Sequence, residues 1–386
     1  MKKILLLNLL FIGSLFSQDY YYKKYAPFDE NIKSPEEFLG YPIGEMQTRH
    51  DLIVSYMEYL SNVSDKAQIM HYGETYEKRK LVILAISSSD KILELEKIRE
   101  NHISYLNPEH PNYLEESKPE DLPVIINLAY SVHGNEPSTS EAALLTAYTL
   151  IGSKSDEISK YLSESIILID PTLNPDGRDR HTHWVNTYKA SPLVDDPQDA
   201  EHNEYWPGGR TNHYWFDLNR DWYLGIHPES RSKLKWYHSW KPNVTADFHE
   251  MGTNSTYFFV PFKPNGSLNP VIPKENYEYF NFLFGSYFAE ALDEIGTLYF
   301  TREIFDRTYP GYGSAYPDYL GGIGLLFEQA SSRGFKQKTQ FGEITFPFTI
   351  KNQYVSGMTT VKASVANKEK LQDYQSNFYK SALTDS

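Results

Sequence analysis

An apolar run, LPVIINLA, stops just before His133, and Glu136 follows three residues later within YSVHGNEP. Far along the chain, His249 closes another apolar run in NVTADFHEMG. Two imidazoles and a carboxylate form one of the ligand sets that catalytic zinc takes, with a fourth position left open to water. Alone, His133 reads first as a hydrogen-bonded core histidine; Glu136 and His249 together move the reading to a metal ligand. His249 is followed by Glu250 but by no second histidine four residues on, which excludes a zincin helix. A second H-x-x-E, His71 and Glu74, sits in an expected hairpin with no other ligand-type residue beside it, and His71 reads as an ordinary surface or packing histidine.

Hydrolysis at such a centre also needs a base that takes a proton from water and hands it to the leaving amine. Glu328, ending GLLFE, is the candidate; as a merely solvated strand-end acid it would leave unexplained why so apolar a strand stops there. FDLNRDW groups Asp217, Asn219 and Arg220. An arginine beside an amide can grip a carboxylate by a two-pronged hydrogen bond, and a surface salt bridge is the alternative reading.

These residues need elements to hold them. QIMHYGETYEKRKLVILAISS reads as two strands around a polar turn, after a helix near 49–60. LPVIINLA is followed by a helix over about 138–151, opened by Pro137 at a first-turn position, and SIILIDPTLNPDG supplies a buried strand and a turn. A helical stretch, HPESRSKLKWYHSW, precedes the strand that ends at His249. A helical pattern over about 274–295 precedes the strand that ends at Glu328, and the last twenty residues read as a polar helix and tail. Alternating strands and helices predict an α/β fold with a mixed, mostly parallel central sheet and helices on both faces. His133, Asp176, His249 and Glu328 then fall at or just past strand carboxyl ends, the edge where such sheets build sites.

The 386 residues, 40% hydrophobic, are enough for a well-packed core, and a net charge of −14 argues against a nucleic-acid partner. Without cysteine there is no disulfide framework, and a metal must be held by His, Asp or Glu. Residues 1–17, with two lysines and the run ILLLNLLFIGSLF, read as a secretory signal peptide, so a secreted or periplasmic location is expected, with no membrane span after its removal. Residues 18–386 are expected to form one catalytic domain, its core over about 41–346.

From Tyr41 to Phe346 the chain resembles the zinc carboxypeptidases of the M14 (carboxypeptidase A-like, funnelin) type, through YGETYEKRKLVILAIS, HGNE, NPDGR, GGRTNHYWFDLNRDW, DFHEMG and LLFEQAS in that order. The resemblance implies one zinc ion on His133, Glu136 and His249, Glu328 as general base and acid, and Asn219 and Arg220 on the terminal carboxylate of a peptide or protein substrate. It further implies that Asp217 orients His133, that Arg210 stabilises the oxyanion, and that Tyr309, with Tyr312 as runner-up, closes over the substrate. It implies no oligomeric state.

Two departures limit the match. Trp184 is followed by Val185 and Asn186 rather than by an arginine, so Arg178 and Arg180 rival Arg210. Ala315 stands where a basic-specific enzyme would place an acid, although nearby Asp318 keeps a preference for terminal Lys or Arg open. The expected activity is hydrolysis of C-terminal peptide bonds. The alternatives are cleavage of γ-glutamyl or cell-wall amides on the same fold, and a secreted binding protein without turnover.

Overall fold

A computed structural model describes residues 20–110, 118–264 and 269–384, so the leader expected over 1–17 lies outside the described residues. In chain order the strands are β1 (Ala67–Glu74), β2 (Lys80–Ile86), β3 (Val124–Tyr130), β4 (Ser165–Asp170), β5 (Val244–Met251), β6 (Tyr257–Phe259), β7 (Lys263–Pro264), β8 (Tyr299–Phe300), β9 (Ile304–Phe305), β10 (Ile323–Ala330), β11 (Lys336–Thr339) and β12 (Gly342–Thr345). Eight of them build one sheet in the order β1-β2-β4-β3-β5-β10-β6-β8. The four central strands β4, β3, β5 and β10 run parallel, β1 and β2 form the expected antiparallel hairpin, and β6 returns antiparallel to β10.

Every residue of β3 and β4 is buried, as strands covered on both faces require. Successive side chains go to opposite layers: Ile126, Leu128 and Tyr130 join one hydrophobic cluster, Ile125 and Ala129 the other. The first cluster is covered by the helices Ser138–Gly152, Asn281–Ile295 and Phe346–Ala366, the second by Pro228–Trp240. The mixed α/β architecture is therefore as expected.

Two elements differ from the sequence reading, and a third, the expected C-terminal helix, is packed more deeply than its polar pattern implies. NPDG, read as a turn, opens the helix Pro175–Tyr188: Asn174 caps it by accepting from Gly177 N at 3.0 Å, and Pro175 takes the first position. An Asn-Pro pair suits either role, and the cap prevails here. The pattern over 274–295 is split into a π-turn, Asn276–Phe280, and the helix Asn281–Ile295, with Asn281 Nδ2 bonded to the carbonyl of Asn276 at 2.6 Å. The polar C-terminal helix, Lys368–Thr384, buries Leu371 and Tyr374, and its Gln375 accepts from Asn243 Nδ2 at 2.7 Å beside the start of β5. Among the described residues no helix is long and apolar enough to cross a membrane.

Parallel β3, β5 and β10 bring their carboxyl ends to one edge, where Ala129 pairs with Asp247 and Glu328 with His249.

Candidate functional site

Beyond β3 the chain turns through Ser131, whose φ of 56° lies in the left-handed region that non-glycine residues seldom occupy. Gly134 follows, packed on the backbone of Gly177 and Arg178 so closely that a Cβ would overlap it. This turn sets His133 and Glu136 side by side beneath the end of β5. His133 Nδ1 is 2.7 Å from Glu136 Oε1, His249 Nδ1 is 3.1 Å from Glu136 Oε2, and the two Nδ1 atoms are 3.2 Å apart. All three side chains are buried.

The outer nitrogens are held as well. His133 Nε2 lies 2.9 Å from Asp217 Oδ1 and His249 Nε2 lies 2.9 Å from Asp247 Oδ2. Donating Nε2–H to Asp217 leaves His133 a lone pair at Nδ1, while His249 Nε2 has both Asp247 and, at 3.3 Å, Asn219 Nδ2 against it; two inner ring nitrogens and a carboxylate thus converge on a point where a cation would sit. The charges agree. Burial works against charge on His133, yet Glu136 and Asp217 outweigh it and raise its pKa; Asp247 and Glu136 do the same, more strongly, for His249. Burial would raise Glu136, but the two histidines draw it down to about 2. The two-nitrogen, one-carboxylate donor set with aspartates behind it fits zinc.

The cluster opens into a cavity of about 460 Å³ whose lining includes Arg210, Asn219, Arg220, Tyr312 and Glu328. Burial, with the charge of Glu136 acting in the same direction against the two histidines, pushes Glu328 up to about 7. Arg210 Nη2 donates to Asp217 Oδ2 at 2.9 Å, and its Nη1 stands 3.7 Å from Glu136. Asn219 Oδ1 accepts from Gly313 N at 2.8 Å, fixing the amide against the 309–315 loop. The Arg220 guanidinium lies 4.6 Å above the Tyr312 ring. Tyr309, also expected at the substrate, donates its hydroxyl to the Arg220 carbonyl at 3.1 Å; of the two tyrosines it is Tyr312 that lines the cavity.

The rival arginines have other partners. Arg178 is fully buried and bonded to Glu141 at 2.7 Å and to the carbonyls of Thr48 and Pro137. Arg180 binds the carbonyls of Gly208, Thr211 and Asn212, bracing the loop that carries Arg210. Asp176, expected near the strand-end edge, instead accepts from Thr75 at 2.7 Å and from Arg79 at 2.8 Å, tying down the β1–β2 turn. His71 is half-exposed on β1, 3.9 Å from Glu58.

Asp247 escaped the sequence reading although the signal was there: two residues before His249, it shares that residue's face of β5. Glu250 was read only as the residue that fails to complete a zincin helix. Its carboxyl accepts from Ser138 N at 2.9 Å and from the hydroxyls of Ser138 and Ser331, and so ties the end of β5 to two neighbouring loops.

The arrangement has relatives. Among solved structures, a carboxypeptidase A from Helicoverpa armigera superposes with a TM-score of 0.55 at 15% identity, over 88% of this chain and 77% of that one. A metallo-carboxypeptidase from Burkholderia cenocepacia does so with a TM-score of 0.52 at 13% identity, over 81% of this chain and 68% of that one. At such identities the likeness concerns the fold. No curated protein matches the chain. The sequence profile of the zinc carboxypeptidases, peptidase family M14, matches residues 53–280, more than half of the chain and including His133, Glu136 and His249, and the chain belongs to that family.

Proposed function

We propose that this chain is an exported metallocarboxypeptidase that removes single residues from free C-termini. The observation that carries the reading is the presence of Asn219 and Arg220 in the cavity lined by Glu328, His133 and Glu136, with His249 against Glu136 behind its wall. An amide and a guanidinium suited to a carboxylate stand beside the groups that would cut a peptide bond.

One zinc ion, held by His133, Glu136 and His249, would supply the Lewis acidity that polarises the scissile carbonyl and makes water nucleophilic at neutral pH. Asn219 and Arg220 hold the substrate's terminal carboxylate and thereby fix the scissile bond against Glu328. With its pKa raised toward neutrality, Glu328 accepts the water's proton and returns it to the leaving amine nitrogen. Arg210 donates to the oxygen on which negative charge develops. Tyr312, whose ring already covers Arg220, packs over the bound terminus, with Tyr309 behind it.

The side chain removed is neutral and apolar in this reading. Asp318 would favour a terminal lysine or arginine, but Arg307 Nη2 lies 2.5 Å from its Oδ2, while Asn276 and Gly324 N bond its Oδ1. Asp306 accepts the Tyr312 hydroxyl at 3.0 Å, and Met251, Ile304, Phe305 and Leu326 supply apolar wall. The leader-like residues 1–17 support export, with residues 18–386 acting as one catalytic domain.

The test is mass spectrometry of mixed peptides, half of them amidated at the C-terminus, after incubation with the zinc-loaded protein and with Glu328→Gln. Loss of single apolar residues from free C-termini alone, absent in the variant, is the expected outcome. Shortening of amidated peptides, or none at all with zinc bound, overturns the reading.

A further inference from the structure

The zinc cavity continues past Arg210. A second cleft, of about 670 Å³, shares Arg210 with it and has Asn135, the neighbour of Glu136, in its wall. The carboxylate grip of Asn219 and Arg220 belongs to the first cavity alone, so a peptide anchored there leaves through the Arg210 side. The second cleft is where the residues upstream of the scissile bond would lie.

Its charges are distinctive. Arg333 and Lys338 line it, and neither side chain has an ion pair or hydrogen bond among the described residues; Glu343, opposite Lys338 across the β11–β12 ladder, is paired with Lys336 at 2.7 Å instead. The acid of the cleft, Glu204, has its Oε1 3.2 Å from His181 Nδ1, and Arg210 is paired with Asp217. His202 lies 3.5 Å from Glu201. In a chain of net charge −14, two unpartnered cations beside the catalytic cluster form a local field opposite to that of the whole molecule. Exposed Tyr205 and Trp206 line the same cleft and offer flat apolar surface to a peptide lying across it.

We propose that this cleft binds the residues upstream of the bond cut and selects peptides carrying acidic side chains there. The proposal rests on the carboxypeptidase reading, and its test keeps the two apart. Paired N-acetylated peptides with the same apolar C-terminal residue, carrying Glu or Gln at the positions before it, are compared in two ways. The kcat/KM is measured with the zinc-loaded protein, and the Kd with Glu328→Gln, which binds without turnover.

The Glu peptide should be favoured about five- to tenfold in both at low salt, as charge pairing at a partly exposed site allows, and less at high salt. The double variant Arg333→Gln/Lys338→Gln should bring the Glu peptide to the level of the Gln peptide while leaving the Gln peptide and the zinc content unchanged. Equal handling of the two peptides by the unsubstituted protein, or a preference that survives in the double variant, overturns the cleft assignment even where both peptides are shortened. If neither peptide is shortened but Glu328→Gln still binds the Glu peptide more tightly through Arg333 and Lys338, the peptidase reading fails and the cleft assignment stands.

Discussion

Nε2 of His133 lies 2.9 Å from Oδ1 of Asp217, and that contact fixes which nitrogen of the ring faces the cluster. Asp217 also accepts the backbone N–H of Asn219 at 2.9 Å and a guanidinium N–H of Arg210, so one carboxylate aligns a ring of the candidate metal cluster and two groups that line the adjoining cavity. Asp217→Asn keeps an acceptor for the ring and removes the charge. Zinc affinity should fall about 10–100-fold, the usual effect of losing such a partner. Chelator competition measures it, and an unchanged affinity would mean that Asp217 does not set the ligand.

Glu328 is the group through which catalysis should depend on pH. Burial raises its pKa to about 7, so as pH falls it takes up a proton and can no longer accept one from water. The charge of a bound zinc ion opposes that shift, and the acid limb of kcat/KM should therefore lie at or below about 7. Glu328→Gln should lose that limb together with about 10²–10⁴ of kcat while retaining zinc. A variant with near-full activity, or an acid limb that persists in it, would contradict the assignment.

Arg178 and Arg210 should separate by phenotype. Removing Arg178 leaves Glu141 buried without its cation, and Arg178→Ala should cost about 3–5 kcal/mol of stability. The Arg210 side chain is 45% exposed, so Arg210→Ala should melt like the parent and lose about 10²–10³ of kcat, the cost of one oxyanion donor. Denaturation curves beside steady-state kinetics decide the matter; the opposite pattern would make Arg178 the oxyanion group.

Local chemistry explains what could be read from the chain. His133 follows the buried strand β3 by three residues, and His249 and Glu328 stand two residues before the ends of β5 and β10, which run on past the points where the sequence reading stops them; the apolar runs announce the strands and their shared edge, not the exact last residue. Arg178 and Arg180 sit in the same short motif as Asp176, and sequence alone could not tell them from Arg210. Their roles depend on carbonyls of Thr48, Pro137 and the 208–212 loop, which only tertiary packing brings near. Asp318 was ambiguous for the same reason. Its partner Arg307 is eleven residues away with no helical or strand period between them, and the pair forms only because the 306–324 segment folds back on itself.

A last expectation concerns stability rather than turnover. Glu229 lies in the first turn of Pro228–Trp240, only 3% exposed. Burial, with the nearby charge of Asp176, raises its pKa from 4.5 to about 7. A carboxyl whose folded pKa exceeds its unfolded one favours the folded state fully only below about 4.5, and that contribution is lost as pH rises through about 7. The loss amounts to at most about 3 kcal/mol, the free energy of such a shift. Glu229→Gln, which cannot ionise, should match the parent in urea unfolding near pH 4.5 and exceed it by about 1–3 kcal/mol at pH 8. Equal stabilities at pH 8 would show that the ionised carboxylate is accommodated without cost.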